Sequence, residues 1–265
     1  MKTKVHLYLT ILISFSVFSQ KTGKVNYGHI ESPGKGGPVG LDFNSHLIFD
    51  EKQSYYVTAK DSLENENEIE NQRIKKVDGE IKQVYVGKHT LEQGKQVYYN
   101  RAKDSLWWNK KYDISLYGAE KNTKLNWKIE NETKKIGNFN CKKAMTDFRG
   151  HTYTAWFTED IPVSYGPWKL NGLPGLILEA YDTNKEFYVY FKSVEYPVSN
   201  LKVPSKLNIP NYDQRNLRWI NNLEYKSFLE EKVEKNKTKA IMLAKEYGVQ
   251  VATGGMKDMS IEIFE

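Results

Sequence analysis

Between Ile81 and Val194 the chain is built of short runs whose side chains alternate in character, broken by turn formers, a pattern that suits strands and leaves no room for a long helix. Ile81, Gln83 and Tyr85 oppose Lys82, Val84 and Val86, Val97 is in phase with Tyr99, and Leu125, Trp127 and Ile129 oppose Asn126, Lys128 and Glu130. Tyr153, Ala155 and Phe157 continue the rhythm, as do Phe187, Val189 and Phe191. Successive side chains of a strand point to opposite faces, so each run offers one face to a core. Asp78-Gly79 and Glu92-Gln93-Gly94 supply hairpin-like turns. Strands this close in sequence pair antiparallel rather than through βαβ crossovers.

The pattern changes after Pro197, Pro204 and Pro210. Asn221-x-x-Glu224 reads as a capping box that opens a helix running to Tyr247, with Gly248 as its stop. Tyr225, Leu229 and Val233 form one stripe, which Ala240, Leu243, Ala244 and Tyr247 resume, and Glu231 can pair with Lys235 on the exposed side. The expected fold is therefore mainly β with a C-terminal α-helix covering a curved antiparallel sheet, open or drawn into an incomplete barrel. No repeat of fixed period interrupts it, and one domain over residues 20–265 is the economical reading.

Residues 1–19 read as a signal peptide. Lys2 and Lys4 precede an apolar run from Leu7 to Phe18, and Val17 and Ser19 are small enough for cleavage before Gln20. The run is too short to anchor a chain across a bilayer, so no membrane span is expected after cleavage, and the destination is periplasmic or secreted. Losing Lys2 and Lys4 takes the net charge from +6 to +4, with both signs interspersed, which argues against nucleic acid as a partner.

Cys141 is the single cysteine, so packing and not an internal disulfide must hold the fold. It shares a strand face with Phe139, which favours a small buried side chain over a reactive thiol or ligand. The glycine-rich stretch Ser32–Gly40 lacks both the Lys-Ser/Thr ending of a phosphate loop and a complete G-x-G-x-x-G, and reads as a connector. The acidic stretch Asp61–Asn71 lacks the spacing of a calcium loop and suits a solvated excursion.

The most distinctive segment is Gly172-Leu173-Pro174-Gly175-Leu176-Ile177. Pro174 and Gly175 are placed as the two central residues of a type II turn, with Gly175 at positive φ, aiming Leu176 and Ile177 into a strand buried on both faces. The hexapeptide resembles the signature of the GLPGLI family of exported bacterial proteins. Trp127 ahead of Glu132-Thr133-Lys134, Cys141 with Ala144, Trp156 in Ala155-Trp156-Phe157-Thr158, Ile161-Pro162 and Gly166-Pro167 match that family in order. Asn138-Phe139-Asn140 departs from its Gly-Tyr-aromatic pattern. The resemblance is dense from Trp127 to Glu179; it implies export and a strand order but no particular reaction. A looser likeness, at the level of the fold, is to the curved sheets of periplasmic lipid and lipoprotein carriers.

The sequence holds no Gly-x-Ser-x-Gly elbow, Ser-x-x-Lys, His-Glu-x-x-His or Cys-x-x-Cys, so no catalytic residue, metal site or cofactor is assigned. Cys141 and His151 are ten residues apart across a presumed hairpin and could meet as a thiol–imidazole pair; Met256 and Met259 could suit a soft metal; Glu159/Asp160 and Glu179/Asp182 could serve acid–base chemistry. Aromatic residues make up 13% of the chain, and neighbouring Trp107 and Trp108 must point to opposite faces of a strand. The expected function is a non-enzymatic envelope module that binds a hydrophobic or peptide ligand or an envelope partner. The alternatives are a metal-handling accessory protein using Cys141, or a hydrolase.

Overall fold

A computed structural model describes residues 21–64, 90–248 and 262–263. The leader, the runs from Ile81 to Val86, Asp78-Gly79, most of the acidic stretch, and Met256 and Met259 lie outside the described residues. Among the described residues twelve strands form one sheet. The first six, β1 (Thr22–Glu31), β2 (Asp42–Phe49), β3 (Gln53–Thr58), β4 (Lys95–Asn100), β5 (Ser105–Lys111) and β6 (Ser115–Lys121), are sequential antiparallel neighbours. So are β7 (Lys128–Ile136), β8 (Phe139–Phe148), β9 (His151–Thr158), β10 (Leu176–Asp182) and β11 (Phe187–Val198). The two meanders join where β1 pairs antiparallel with β11. The twelfth strand, β12 (Leu217–Ile220), departs from the antiparallel expectation, because the chain must cross over before it reaches β6 and therefore arrives parallel.

The alternation read from the sequence decides which side chains meet. Val97 and Trp108 enter a core that also takes Val25, Leu47, Phe157, Leu176, Phe187 and Val189, so residues of both meanders share one interior and the sheet curves around it. Their neighbours Tyr98 and Trp107 face the other way, into a smaller cluster with Tyr55, Val57 and Tyr117, covered by Val203 and Leu207 of the crossover segment. Among the described residues the edge strands β7 and β12 are not paired with each other, so the sheet is not closed into a barrel.

The helix α1 (Asn222–Tyr247) has the expected caps. Glu224 donates its backbone N–H to Asn221 Oδ1 at 3.0 Å, Asn221 donates to Glu224 Oε2 at 2.8 Å, and Gly248 ends the helix in the left-handed region with φ 64°. Glu231 pairs with Lys235 at 2.7 Å. The covering role is only partly realised. Tyr225 stacks on Trp108 and Phe228 on Tyr112, whereas Leu243 and Tyr247, on the resumed stripe, are exposed. The charged patch between the two halves of the stripe breaks the apolar face that would have held the later turns down.

Two loops differ from their sequence readings in physical detail. The Ser32–Gly40 connector does bind an anion, but one of its own: Gly34 and Gly36, at φ 74° and 70°, direct their backbone N–H groups to the two oxygens of the Glu186 carboxylate at 2.8 and 2.6 Å. In the acidic stretch, Glu64 is buried and accepts the Asn44 backbone N–H at 2.6 Å, while Leu63 packs on the smaller cluster. That end of the excursion is therefore anchored and not solvated.

Candidate functional site

The hexapeptide and the loop before it form one closed unit. Leu176 donates its backbone N–H to Ile161 O at 3.1 Å, Ile177 to Tyr165 O at 3.0 Å, and Gly172 to Ser164 O at 3.0 Å. Leu173, Leu176 and Ile177 are buried, Pro167 is buried, and Pro174 is exposed. The positive φ falls at Gly172, at 96°, and not at Gly175, so the type II turn expected at Pro174-Gly175 is not formed. Gly175 has another reason to be glycine: a Cβ there would lie 2.1 Å from the carbonyl oxygen of Thr158, on the neighbouring strand. A Cβ on Gly166 would meet Ile177 Cδ1 at 2.7 Å and Leu170 O at 2.8 Å. Close backbone packing, more than turn geometry, fixes these two glycines.

Trp127 joins the unit from the approach to β7 by donating Nε1–H to Asn171 O at 2.8 Å. Trp156 stands apart on β9, with Lys134 Nζ 4.4 Å from the centre of its ring. Cys141 is fully buried on β8, and burial pushes its thiol up to about 11. His151 pairs with Phe148 at the far end of the same hairpin, seven residues along β8 from Cys141, which is about 23 Å at the rise of a strand. The thiol–imidazole pair is therefore not formed. Glu159 and Glu179 are taken up by Lys142 and Lys134, at 3.0 and 2.9 Å, and Asp182 accepts the backbone N–H groups of Glu186 and Phe187 at 2.7 and 3.2 Å. Among the described residues no group of three or more His, Cys, Asp or Glu could hold a metal ion.

The loop that carries the hexapeptide forms one wall of a cleft of about 340 Å³. Ser164, Tyr165, Asn171 and Gly172 line that wall; Tyr99, Arg101 and Asp104, from the β4–β5 hairpin, line the other. Asn122 and Asn171 exchange side-chain hydrogen bonds at 3.3 and 3.0 Å, and Asn171 also donates to Lys169 O at 3.0 Å, so the amides on the floor are held in place. Tyr165 is 3% exposed, and among the described residues its hydroxyl has no hydrogen-bond partner. Burial raises its phenol well above the ordinary range, so it stays a neutral donor and acceptor. A buried hydroxyl left unsatisfied is destabilising unless something completes it.

The same loop sends Lys169 the other way, into the interior. Its Nζ is 2.6 Å from Glu120 Oε1 and 2.6 Å from Glu262 Oε1, and 4.7 Å from the centre of the Trp108 ring. Arg149 reaches Glu120 at 2.5 Å. Nearby, His29 bridges Tyr56 OH at 2.6 Å and Glu31 at 3.0 Å, and Glu31 pairs with Lys95 at 2.8 Å. Burial works against the Glu31 charge, but Lys95 and His29 outweigh it and hold the carboxyl well below its usual range. Between these groups only about 30 Å³ is open, room for about two water molecules. The sequence reading missed this network. Its one visible signal is Lys169 itself, a lone charge between Trp168 and Leu170 in an otherwise uncharged run.

Residues 41–227, more than two-thirds of the chain, match the family described as N-glycanase peptide, N-terminal domain (PNGase F-II). The chain belongs to that family. Two solved structures, of PNGF-II in the P21 and in the C2 space group, are similar to it at 19% identity and a TM-score of 0.47, over 78% of this chain and 32% of theirs. The chain thus spans about a third of the length of the solved structures it matches. Comparison with curated proteins gives no match. The family's span contains the whole cleft and the hexapeptide, while Glu262 lies beyond it. Among the described residues no helix is long and apolar enough to cross a membrane.

Proposed function

We propose that this chain is an exported recognition module of the GLPGLI type, without a reaction of its own, that binds the saccharide of a glycosylated peptide at the cleft between the β4–β5 hairpin and the hexapeptide loop. The observation that carries the reading is the hydrogen-bonding lining of that cleft, where a hydroxyl and amides stand beside the charged Arg101, Asp104 and Lys124. Ser164 brings the hydroxyl and Asn122 and Asn171 fixed amides, beside the rings of Tyr99 and Tyr165 and the apolar edge of Leu125. A sugar ring offers the complement, hydroxyl groups around its rim and C–H surfaces on its faces, and a cleft of this size suits a ligand of one or two rings. The family's description as an N-glycanase domain supports the same class of ligand. The leader with Lys2, Lys4 and a short apolar core supports export. A hydrophobic ligand inside the curve of the sheet is the weaker reading, because charged and aromatic side chains fill that space. Metal handling through Cys141 loses His151 as its partner, and the thiol is buried, while Met256 and Met259 lie outside the described residues.

Calorimetric titration with an N-linked glycopeptide, the free glycan and the bare peptide tests this. The glycopeptide and the glycan should bind, and S164A should weaken both about tenfold, the loss of one good hydrogen bond. Equal binding of the bare peptide would replace the saccharide reading with a peptide one, and no binding of any of the three would remove the cleft as the site. The mass of the chain recovered from the periplasm or medium should correspond to a start at Gln20; retention of residues 1–19 would refute export by cleavage.

A further inference from the structure

Glu262 and Ile263 are held as a ligand is held. The Glu262 side chain is 2% exposed, with Oε1 2.6 Å from Lys169 and 3.8 Å from Arg149, and Oε2 3.9 Å from Lys110. Ile263 donates its backbone N–H to Arg149 O at 2.9 Å. Its side chain lies over Gly150, where a Cβ would come within 2.6 Å of Ile263 Cβ. Arg149 and Gly150 both have positive φ, at 50° and 74°, which makes the tight primed turn that presents this carbonyl and leaves space beside it. The carboxylate is received by Lys110 of β5, Lys169 of the hexapeptide loop and Arg149, while the backbone and the aliphatic side chain are both received by the β8–β9 turn.

The charges explain why the seat favours an acidic occupant. Lys110, Arg149 and Lys169 converge there, with Glu120 paired to Arg149 and Lys169 and Glu31 acting on Lys110. Glu262 adds a second carboxylate to Lys169, which is 1% exposed at a site where an uncompensated buried charge is strongly disfavoured. Burial opposes the Glu262 charge, yet Lys169, Lys110 and Arg149 outweigh it and hold the carboxyl below its ordinary range. The receiving residues all lie within the family's span of 41–227, whereas the occupant does not.

We propose that this end of the sheet is a peptide-docking site for an extended Glu-Ile element, filled in cis by Glu262-Ile263 and able to accept the same element from a second copy of the chain. It is distinct from the saccharide cleft and does not depend on it. Exchange of an identical element between copies needs no new interface, since the contacts in trans are those already made in cis. The cis segment competes at an effective concentration on the order of mM, so a free segment must reach that range to displace it.

The test uses the full chain and a labelled peptide of residues 260–265, with a control peptide carrying Gln in place of the central Glu. On wild-type protein, peptide in the mM range should speed hydrogen exchange of the Ile263 amide at least about tenfold, and the Gln peptide should not. On E262A the peptide should bind at least about tenfold more tightly than on wild type, because its competitor is gone. Unchanged exchange at Ile263, or equal acceleration by the Gln peptide, would overturn the proposal. So would a folded E262A chain that binds the peptide no better than wild type. The wild-type measurement decides the question if E262A does not fold.

Discussion

Replacing Tyr165 with Phe removes one oxygen and nothing else, and the structure gives the sign of the effect. Tyr165 is 3% exposed, packs against Phe49 at 6.1 Å and Tyr99 at 6.0 Å between ring centres, and among the described residues its hydroxyl has no partner. The ring contacts survive the change. The desolvation of an unsatisfied hydroxyl, about 1–3 kcal/mol, is relieved. Y165F should therefore be more stable than wild type by about 1 kcal/mol or more, which for a domain of this size raises Tm by about 2–4 °C. Urea denaturation gives the free energy and scanning calorimetry gives Tm, both without ligand. A variant less stable than wild type by 1 kcal/mol would mean that the hydroxyl is satisfied in the free protein, and the argument for an incomplete cleft would fail.

Three further outcomes follow from other parts of the fold. G175A places a methyl group 2.1 Å from Thr158 O, a backbone atom that cannot turn aside, and should lower stability by about 2 kcal/mol or more in urea titration; a neutral effect would contradict the close approach of the hexapeptide to β9. Burial, with Lys24 and Lys60, lowers His46 from 6.5 to about 4, so the native state keeps it neutral. The stability this represents is whole above pH 6.5 and is lost as pH falls to about 4, up to about 3 kcal/mol, because only the unfolded chain takes the proton early. H46Q should flatten the urea midpoint across that window, and an unchanged slope would refute the assignment. Cys141, fully buried with its thiol pushed up to about 11, should react with a thiol reagent at pH 8 only at the rate of unfolding; rapid labelling of the native chain would show it to be accessible.

The seat for Glu262 and the cleft share a support. Lys169 binds Glu262 through its side chain at 2.6 Å and Asn171 through its carbonyl at 3.0 Å, and Asn171 in turn lines the cleft and accepts from Trp127 at 2.8 Å. Two residues apart on the hexapeptide loop, one side chain faces the interior and the other the cleft. The conformation that separates them includes Trp168 at φ 55° and Gly172 at φ 96°, backbone held in place by the packing around it.

What the sequence determined by itself was local. Alternation put Trp107 and Trp108 on opposite faces, because the two-residue period of a strand is a property of the backbone alone, while the register of β4 on β5 decided that Trp108 joins Val97 and Trp107 joins Tyr98. The capping box of Asn221 and Glu224 and the stop at Gly248 are likewise settled within four residues. The hexapeptide was visible as a string, but its role was not. Gly175 looked like a turn residue until the strand carrying Thr158 was seen 2.1 Å from where its Cβ would lie, and no feature near Gly175 announces that neighbour. Lys110, Glu120, Arg149, Lys169 and Glu262 are spread over more than 140 positions, and only the tertiary fold brings their charges into ion pairs of 2.5–3.9 Å. Strand period and helix caps depend on neighbours in sequence and are written there. A buried charge network and a cleft between two loops depend on neighbours in space, which the tertiary fold alone supplies.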